Sequence, residues 1–264
     1  MKGGIINMMK YQELRKNAET VAHTKRIEVL QQDGIAYKIF DKNFSRAQIF
    51  YEAMLQTMAA EAGVNVPKIL GVEQIDDRFA ILSEYIDGKT IAELMEENPA
   101  KKKYYLELMA NTQLLINSKT VSDIKKLKHK LRREIKALDG LDDIKKYELE
   151  TRLASMPEHN KLCHGNFGPE NVVIDGMDKI VVLDWVAAVR GNATADAAKT
   201  YLKLTLLSTE LAEMYITLFC EKSGVQRQYV YEWLPLVAAS SLHEKSLSER
   251  ERAVLLSWLD VAQY

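Results

Sequence analysis

The sequence contains few cysteines and no long apolar run. Cys163 and Cys220 are the only cysteines among 264 residues. They are too few for a disulfide framework, and no CxxC or Cys/His pair suggests a zinc site. No stretch approaches the roughly eighteen consecutive apolar residues of a membrane-spanning helix, and residues 1–17 are too polar for a signal peptide. We therefore expect a cytoplasmic protein with no membrane partner, whose two thiols are reduced and buried.

The chain also lacks an excess of charge of either sign. Its 36 basic and 37 acidic side chains give a formal net charge of -1, which argues against a nucleic-acid partner held by the overall field of the protein. The composition, 47% hydrophobic and 28% charged, is that of an ordinary globular chain. A length of 264 residues predicts one large fold or two lobes.

Strand signals occupy much of the first 86 residues. Two short apolar runs within residues 18–40 flank Asp33-Gly34, a dipeptide typical of a tight hairpin. A second pair of runs, residues 68–75 and 78–85, is separated by two aspartates at the turn. The pattern predicts two antiparallel strand pairs.

A helix is predicted between these strand pairs. Ser45 is its N-cap candidate, and Gly63 is the residue at which it ends. Phe50, Met54 and Met58 recur at helical spacing between them.

Beyond Gly88 the pattern becomes mainly helical, and this shift predicts a boundary between two parts of the chain. A Ser248-x-x-Glu251 capping box opens the last predicted helix. The predicted elements are helices at residues 90–97, 101–119 and 122–155 (the last broken at Asp139-Gly140), short strands at 162–163, 172–174 and 180–183, and helices throughout the chain beyond Asn192.

Polar residues around the short strands carry the clearest chemistry. His164-Gly165-Asn166 follows the first strand, Asn171 lies five positions beyond Asn166, and Asp184 ends an apolar strand. Phosphoryl transfer uses such a set: one loop side chain at the attacking hydroxyl, an amide on magnesium, and a carboxylate on the metal that bridges the nucleotide phosphates. We therefore interpret Asn166, Asn171 and Asp184 as catalytic candidates, with Asn171 and Asp184 as ligands of Mg²⁺.

This segment resembles the motif of the aminoglycoside phosphotransferase and choline kinase superfamily, which reads His-Gly-Asp, four residues, then Asn. Asp184 in VLDW matches the family's metal-binding aspartate, and residues 191–202, with Asp196, resemble the stretch that follows it. The resemblance extends over most of the chain. It implies an α+β, two-lobed protein-kinase-like fold, with a small antiparallel-sheet lobe for nucleotide (residues 1–86) and a larger, mainly helical lobe for catalysis and substrate (residues 87–264).

The same resemblance implies a nucleotide site in the amino-terminal part. Lys38 in AYKIF matches the family's phosphate-binding lysine, and Glu52 on the following helix is its expected ion-pair partner. Glu84, Tyr85 and Ile86 match the hinge whose backbone hydrogen-bonds the adenine edge. No GxGxxG lies near residues 20–30, although such a motif is common where a turn covers phosphates. The implied ligands are ATP (or GTP), Mg²⁺ and a small molecule with an acceptor hydroxyl.

Asn166 departs from the family pattern, which has an aspartate at this position. An amide cannot accept a proton at ordinary pH, and loss of a general base costs on the order of 10²- to 10⁴-fold in rate. Two hypotheses follow. The chain is a small-molecule kinase that positions its acceptor without this base, or a nucleotide-binding pseudokinase that serves as a sensor or scaffold.

Several other features leave alternatives open. The basic segment from Ile124 to Lys136 is a solvated helix face or an anion-attracting rim. Trp185, Trp233 and Trp258 are core residues or lining for an acceptor site. Asp196 hydrogen-bonds the catalytic loop, contacts the acceptor or caps a helix. Cys163 beside His164 resembles a nucleophile pair, but neighbouring strand residues point to opposite faces.

Overall fold

Strands make up most of one part of the chain and helices most of the other. The structure, a computed structural model, describes residues 10–244 and 246–260. It divides into one unit that extends to Gly88 and includes Val173–Val186, and a second that comprises Lys89–Val172 and the chain from Ala187 onward. No helix in the described ranges is both long and apolar enough to cross a membrane.

Most of the elements follow the order that the sequence predicts. The strands are β1 (Glu19–His23), β2 (Ile27–Gln32), β3 (Ile35–Phe40), β4 (Ile69–Ile75), β5 (Arg78–Glu84), β6 (Gly88–Thr90), β7 (Lys161–Cys163), β8 (Val172–Asp175), β9 (Ile180–Val182) and β10 (Val189–Gly191). The helices are α1 (Tyr11–Asn17), α2 (Arg46–Glu61), α3 (Ile91–Glu97), α4 (Lys102–Ser118), α5 (Leu127–Lys136), α6 (Asp143–Ser155), α7 (Ala193–Leu207), α8 (Thr209–Ser223), α9 (Arg227–Tyr231), α10 (Leu234–Ser241) and α11 (Glu249–Ser257).

The amino-terminal strands form one antiparallel sheet with the order β1-β2-β3-β5-β4. Both predicted hairpins are confirmed. Asp33 and Gly34, at φ 51° and 76°, make the turn from β2 to β3, and Asp76, at φ 52°, makes the turn from β4 to β5. These left-handed backbone angles suit tight hairpin turns, in which Asp and Gly are favoured.

Helix α2 confirms the predicted helix. Ser45 caps it, with its side chain accepting from the Gln48 backbone N–H. Phe50 and Met54 are exposed, whereas Ile49 and Ala53 pack with Phe40 and Ile81 of the sheet. Helical spacing alone does not give the buried face, because apolar residues lie on several sides of this helix and those that pack on the sheet are the smaller or branched ones.

The second unit is mainly helical. Tyr215 of α8 and Trp233, just before α10, are fully buried in it. Strands β7 and β10 pair antiparallel, with Val189 opposite Cys163; β10 has no counterpart among the predicted strands. Pro235 lies in the first turn of α10, where its missing N–H costs no helical hydrogen bond.

The basic segment folds as α5, which begins at Leu127 rather than at Ile124. Leu127, Leu131 and Ile135 form its buried face. Lys128 donates to the carbonyls of Ala154 and Met156 at the end of α6, so part of the positive charge of α5 is used to cap a neighbouring helix.

Candidate active site

Lys38 lies between two carboxylates. Side chains alternate along β3, so Tyr37 and Ile39 enter one cluster of the core, while Phe40 lies with α2 on the opposite face. Lys38 shares the face of Phe40, and its Nζ lies 2.5 Å from Glu52 Oε1 and 3.1 Å from Asp184 Oδ1. The structure therefore brings three predicted site residues into contact within one unit.

Two hydrogen bonds to Asn65 hold the strand that precedes Asp184. Val182 N–H donates to the Asn65 carbonyl at 3.0 Å, and Asn65 Nδ2 donates to the Ile180 carbonyl at 2.8 Å. Asp184 itself has φ 60°, a left-handed conformation that Asp tolerates better than most L residues. Backbone strain of this kind costs on the order of 1–3 kcal/mol and is concentrated at functional sites.

Lys38 remains charged in this environment. Burial of the ammonium tends to lower its pKa, but Asp184 and Glu52 together hold the pKa of Lys38 above its ordinary value. The side chain of Lys38 is 25% exposed and that of Asp184 32% exposed. A charged lysine that is still accessible can bind the oxygens of a phosphate.

The loop after β7 depends on a glycine. Gly165 has φ 76°, and a Cβ at this position would lie 2.2 Å from the carbonyl oxygen of Ala187. Both the backbone angle and the close approach therefore exclude a side chain here. The loop beginning at His164 can turn sharply against the segment after β9 only because residue 165 is glycine.

Asp196 anchors this loop from the first turn of α7. Its carboxylate is buried and accepts from the backbone N–H groups of Gly165 at 2.8 Å and His164 at 3.1 Å. Gln113 and Asn117, one turn apart on α4, donate to the same carboxylate. Of the roles left open by the sequence, the structure supports hydrogen bonding to the loop. Four N–H donors compensate the charge of this buried acid.

Asn166 and Asn171 are joined through the backbone of the loop. Asn171 is 8% exposed, and its Nδ2 donates to the Asn166 carbonyl at 2.9 Å. This contact fixes the orientation of the amide, so Oδ1 is the atom of Asn171 that can coordinate a hard cation. An amide oxygen is a hard donor of the kind that suits Mg²⁺.

Lys203 is a residue of this site that the sequence reasoning missed. From α7 its Nζ donates to Asn166 Oδ1 at 2.9 Å and forms an ion pair with Glu170. A signal was available, because Lys203 follows Asp196 by seven positions and so lies on the same face of the helix. The partner that it reaches is set by tertiary packing.

The predicted hinge residues lie at the end of β5 and just beyond it. The backbone N–H of Glu84 donates to Lys68 and that of Tyr85 to Gly34, so sheet pairing already uses both donors. Ile86 follows them and lies outside β5.

Neighbouring residues have structural roles. His164 is fully buried, and its Nδ1 accepts from the Asn166 backbone N–H. Burial raises the pKa of the Cys163 thiol well above its ordinary value, which disfavours a nucleophilic thiolate. Cys163 is buried as expected, whereas Cys220 is only half-buried. Trp185 and Trp233 are core residues.

Comparison with known proteins identifies the family. The model of the phosphotransferase enzyme family matches residues 37–233, a range that contains Lys38, the loop from His164 to Asn171, and Asp184. The chain belongs to the phosphotransferase enzyme family. No curated protein gives a significant match.

Solved structures of phosphotransferases and kinase-like proteins have the same fold. A ternary complex of a thermostable mutant of aminoglycoside phosphotransferase APH(4)-Ia with AMP-PNP and hygromycin B is 16% identical, with a TM-score of 0.69 over 92% of this chain and 90% of that one. A choline/ethanolamine kinase family protein from Mesorhizobium loti is 16% identical, with a TM-score of 0.62 over 92% and 85%. LicA in complex with AMP is 14% identical, with a TM-score of 0.60 over 91% of each chain. The predicted protein-kinase-like fold is confirmed.

Proposed function

We propose that this phosphotransferase-family chain transfers the terminal phosphoryl group of ATP (or GTP) to a hydroxyl of a small molecule. The observation that carries the proposal is the contact of Lys38 with both Glu52 and Asp184. A charged lysine oriented by one carboxylate and lying beside a second provides a phosphate-binding group and a metal-binding group together. An ordinary surface lysine has no need of a buried carboxylate such as Glu52.

The remaining candidates receive roles within this proposal. Lys38 binds nucleotide phosphates and Glu52 orients Lys38. Asn171 and Asp184 are the ligands of Mg²⁺, which when bound offsets the negative charge of the phosphates. The segment Glu84 to Ile86 binds the base, with the Ile86 N–H as donor. These assignments keep the amino-terminal lobe, residues 1–86, as the nucleotide-binding part and residues 87–264 as the catalytic and substrate-binding part.

The chemical step does not require a general base at position 166. The acceptor hydroxyl oxygen forms a bond to the γ-phosphorus, the bond from that phosphorus to the bridging oxygen breaks, and ADP leaves with the electron pair. Because the transition state is largely dissociative, the hydroxyl loses its proton late. The proton can pass to an oxygen of the transferred phosphoryl group and then to water, so Asn166 need not accept it.

Asn166 also favours a second candidate function, that of a pseudokinase. Asn166 lacks the carboxylate that the family places there, and the loss of a general base costs about 3 to 5 kcal/mol of transition-state stabilisation. A chain that binds nucleotide without turnover would act as a sensor or scaffold. Retention of both proposed metal ligands, Asn171 and Asp184, favours the kinase over this pseudokinase.

The acceptor is a small molecule with a hydroxyl group. The relatives of known structure include proteins named for aminoglycosides and for choline or ethanolamine, and these names give the first compounds to test. Sugars and nucleosides complete the panel. We propose a cytoplasmic site of action, where ATP and Mg²⁺ are both supplied.

The deciding experiment measures ADP release over this acceptor panel for wild type and Asn166→Asp in parallel. The kinase proposal expects turnover in wild type with at least one acceptor and a rise of about tenfold or more in Asn166→Asp. Nucleotide binding without turnover in either protein would favour the pseudokinase. If ATP gives no magnesium-dependent thermal shift, both functions are wrong.

A further inference from the structure

Lys203 contacts the residue that departs from the family pattern. Its Nζ donates to Asn166 Oδ1 at 2.9 Å and to the Asn166 carbonyl at 3.3 Å. The same ammonium forms an ion pair with Glu170, and the Lys203 side chain is 24% exposed. One lysine therefore binds the side chain of Asn166, its backbone and a neighbouring carboxylate.

The lysine determines which end of the Asn166 amide is available to a ligand. A lysine ammonium has three donors and no acceptor, so the atom of Asn166 that faces Lys203 must be the carbonyl oxygen. The amide nitrogen then points away from Lys203. An aspartate at this position would present an acceptor, whereas Asn166 in this orientation presents a donor.

Gly168 makes room for the lysine and its partner. A Cβ at residue 168 would lie 2.6 Å from Glu170 Oε2 and 2.9 Å from Lys203 Cε. The backbone of Gly168 is extended, so an alanine would strain only these two side chains. The absence of a side chain at position 168 allows Lys203 and Glu170 to pair directly over the loop.

We propose that Lys203 is a positioning residue for phosphoryl transfer, which holds Asn166 so that its amide nitrogen donates to the oxygen of the acceptor hydroxyl. This inference rests on the proposed function. The acceptor hydroxyl is then bound through a lone pair, with its proton directed away from Asn166. The position that supplies a base in the resembled family supplies a hydrogen-bond donor here. The hydrogen bond from Asn166 to the hydroxyl oxygen also orients the remaining lone pair of that oxygen.

The test is a double-mutant cycle between residues 203 and 166, read as kcat for ADP release with the best acceptor of the panel, or with water as acceptor. Lys203→Met is expected to lower kcat by about tenfold or more with little change in KM for ATP, since misplacing a reacting group lowers the rate of the step. Lys203→Arg should recover part of the loss. In an Asn166→Ala background, Lys203→Met should have no further effect.

Two variants provide the controls. Lys222→Met removes a lysine of similar exposure, 27%, from an ion pair with Glu107 on another helix, and its kcat should equal that of wild type. Gly168→Ala keeps every charge but displaces the Lys203 and Glu170 pair, and it should reproduce the loss in kcat. It also serves if Lys203→Met folds poorly.

A measurement that does not depend on turnover distinguishes failure of the positioning role from failure of the proposed function. The side-chain amide of Asn166, assigned by its absence in Asn166→Asp, should shift in ¹H–¹⁵N spectra of Lys203→Met and of Gly168→Ala. If wild type releases ADP but Lys203→Met lowers kcat equally in both backgrounds, or the Asn166 amide does not shift, the positioning role is wrong and the proposed function stands. If wild type releases no ADP with any acceptor or water, the proposed function fails, and the positioning role fails with it.

Discussion

Lys38 Nζ donates to Asp184 Oδ1 at 3.1 Å, although 146 residues separate them in the sequence. Lys38 lies on a paired strand of the amino-terminal sheet, and Asp184 lies just beyond β9 in a left-handed conformation. Glu52 completes the set from α2. A lysine between two acids is a costly arrangement to bury, and the proposed binding of phosphate and metal would account for it.

Replacement of Lys38 should affect stability and function separately. Lys38→Met leaves Glu52, 7% exposed, without its cation, so we expect a loss of about 3 kcal/mol in the free energy of unfolding. We also expect kcat/KM for ATP to fall by about 100-fold. In Lys38→Met/Glu52→Gln the stability should return while turnover does not. Urea unfolding and ADP release measure the two effects, and a double variant that regains turnover would contradict the proposed role of Lys38 in binding phosphate.

Much of the fold could be predicted because its signals are local. Asp33-Gly34 and the Ser45 cap specify a turn and a helix start through their own backbone and side-chain chemistry, and the structure has both. The buried face of α2 could not be identified in this way. Apolar residues lie on several sides of α2, and only contact with the sheet buries Ile49 and leaves Phe50 exposed.

In the candidate site, too, the contacts that depend on tertiary packing could not be predicted from the sequence. Its residues were predicted from their resemblance to a motif, and the structure brings Lys38, Glu52 and Asp184 together. Lys203 is not part of that motif, and seven-residue spacing on a helix is too common to identify a partner. Its contact with Asn166 depends on how α7 packs against the loop, which is a property of the tertiary fold.

Gly165 is expected to be intolerant of any side chain. Gly165→Ala combines an unfavourable φ of 76° with a Cβ that would lie 2.2 Å from the Ala187 carbonyl oxygen, and should lower the free energy of unfolding by about 3 kcal/mol or more. Gly140→Ala is the matched control, because φ is 79° there and nothing lies within 4 Å of the added atom. It should cost about 1–2 kcal/mol. If urea unfolding shows equal losses of stability in Gly165→Ala and Gly140→Ala, the close approach of the added Cβ to Ala187 does not destabilise the protein.

Asp196 should be needed for the stability of the loop. Asp196→Asn places an N–H₂ group among donors that now point at a carboxylate, so at least one buried N–H loses its partner. We expect a loss of about 3 kcal/mol in the free energy of unfolding, together with faster amide exchange at His164 and Gly165. Asp178→Asn, in an exposed turn at φ 60°, should change stability by less than about 0.5 kcal/mol. Unchanged exchange at the loop would contradict the anchoring role.

Lys199, one turn before Lys203 on α7, should make stability depend on pH. Burial and the nearby charge of Lys130 lower the pKa of Lys199 from 10.5 to about 8, and its side chain is 17% exposed. Below pH 8 both the folded and unfolded states carry the proton, so the folded state bears the full cost of the buried charge, at most about 3 kcal/mol. Between about pH 8 and 10.5 the unfolded state binds more protons, so this contribution improves as pH rises.

Removing the titrating amine should therefore stabilise the protein at neutral pH and not at high pH. Lys199→Met is expected to raise the free energy of unfolding at about pH 7 by 1–3 kcal/mol, and this gain should shrink steadily by about pH 10, where wild-type Lys199 is already neutral when folded. Lys103→Met, on the exposed part of α4, should show no gain at either pH. Urea unfolding of the three proteins at several pH values measures the difference. A gain that stays constant with pH would mean that better packing of methionine, rather than relief of a buried charge, stabilises the variant.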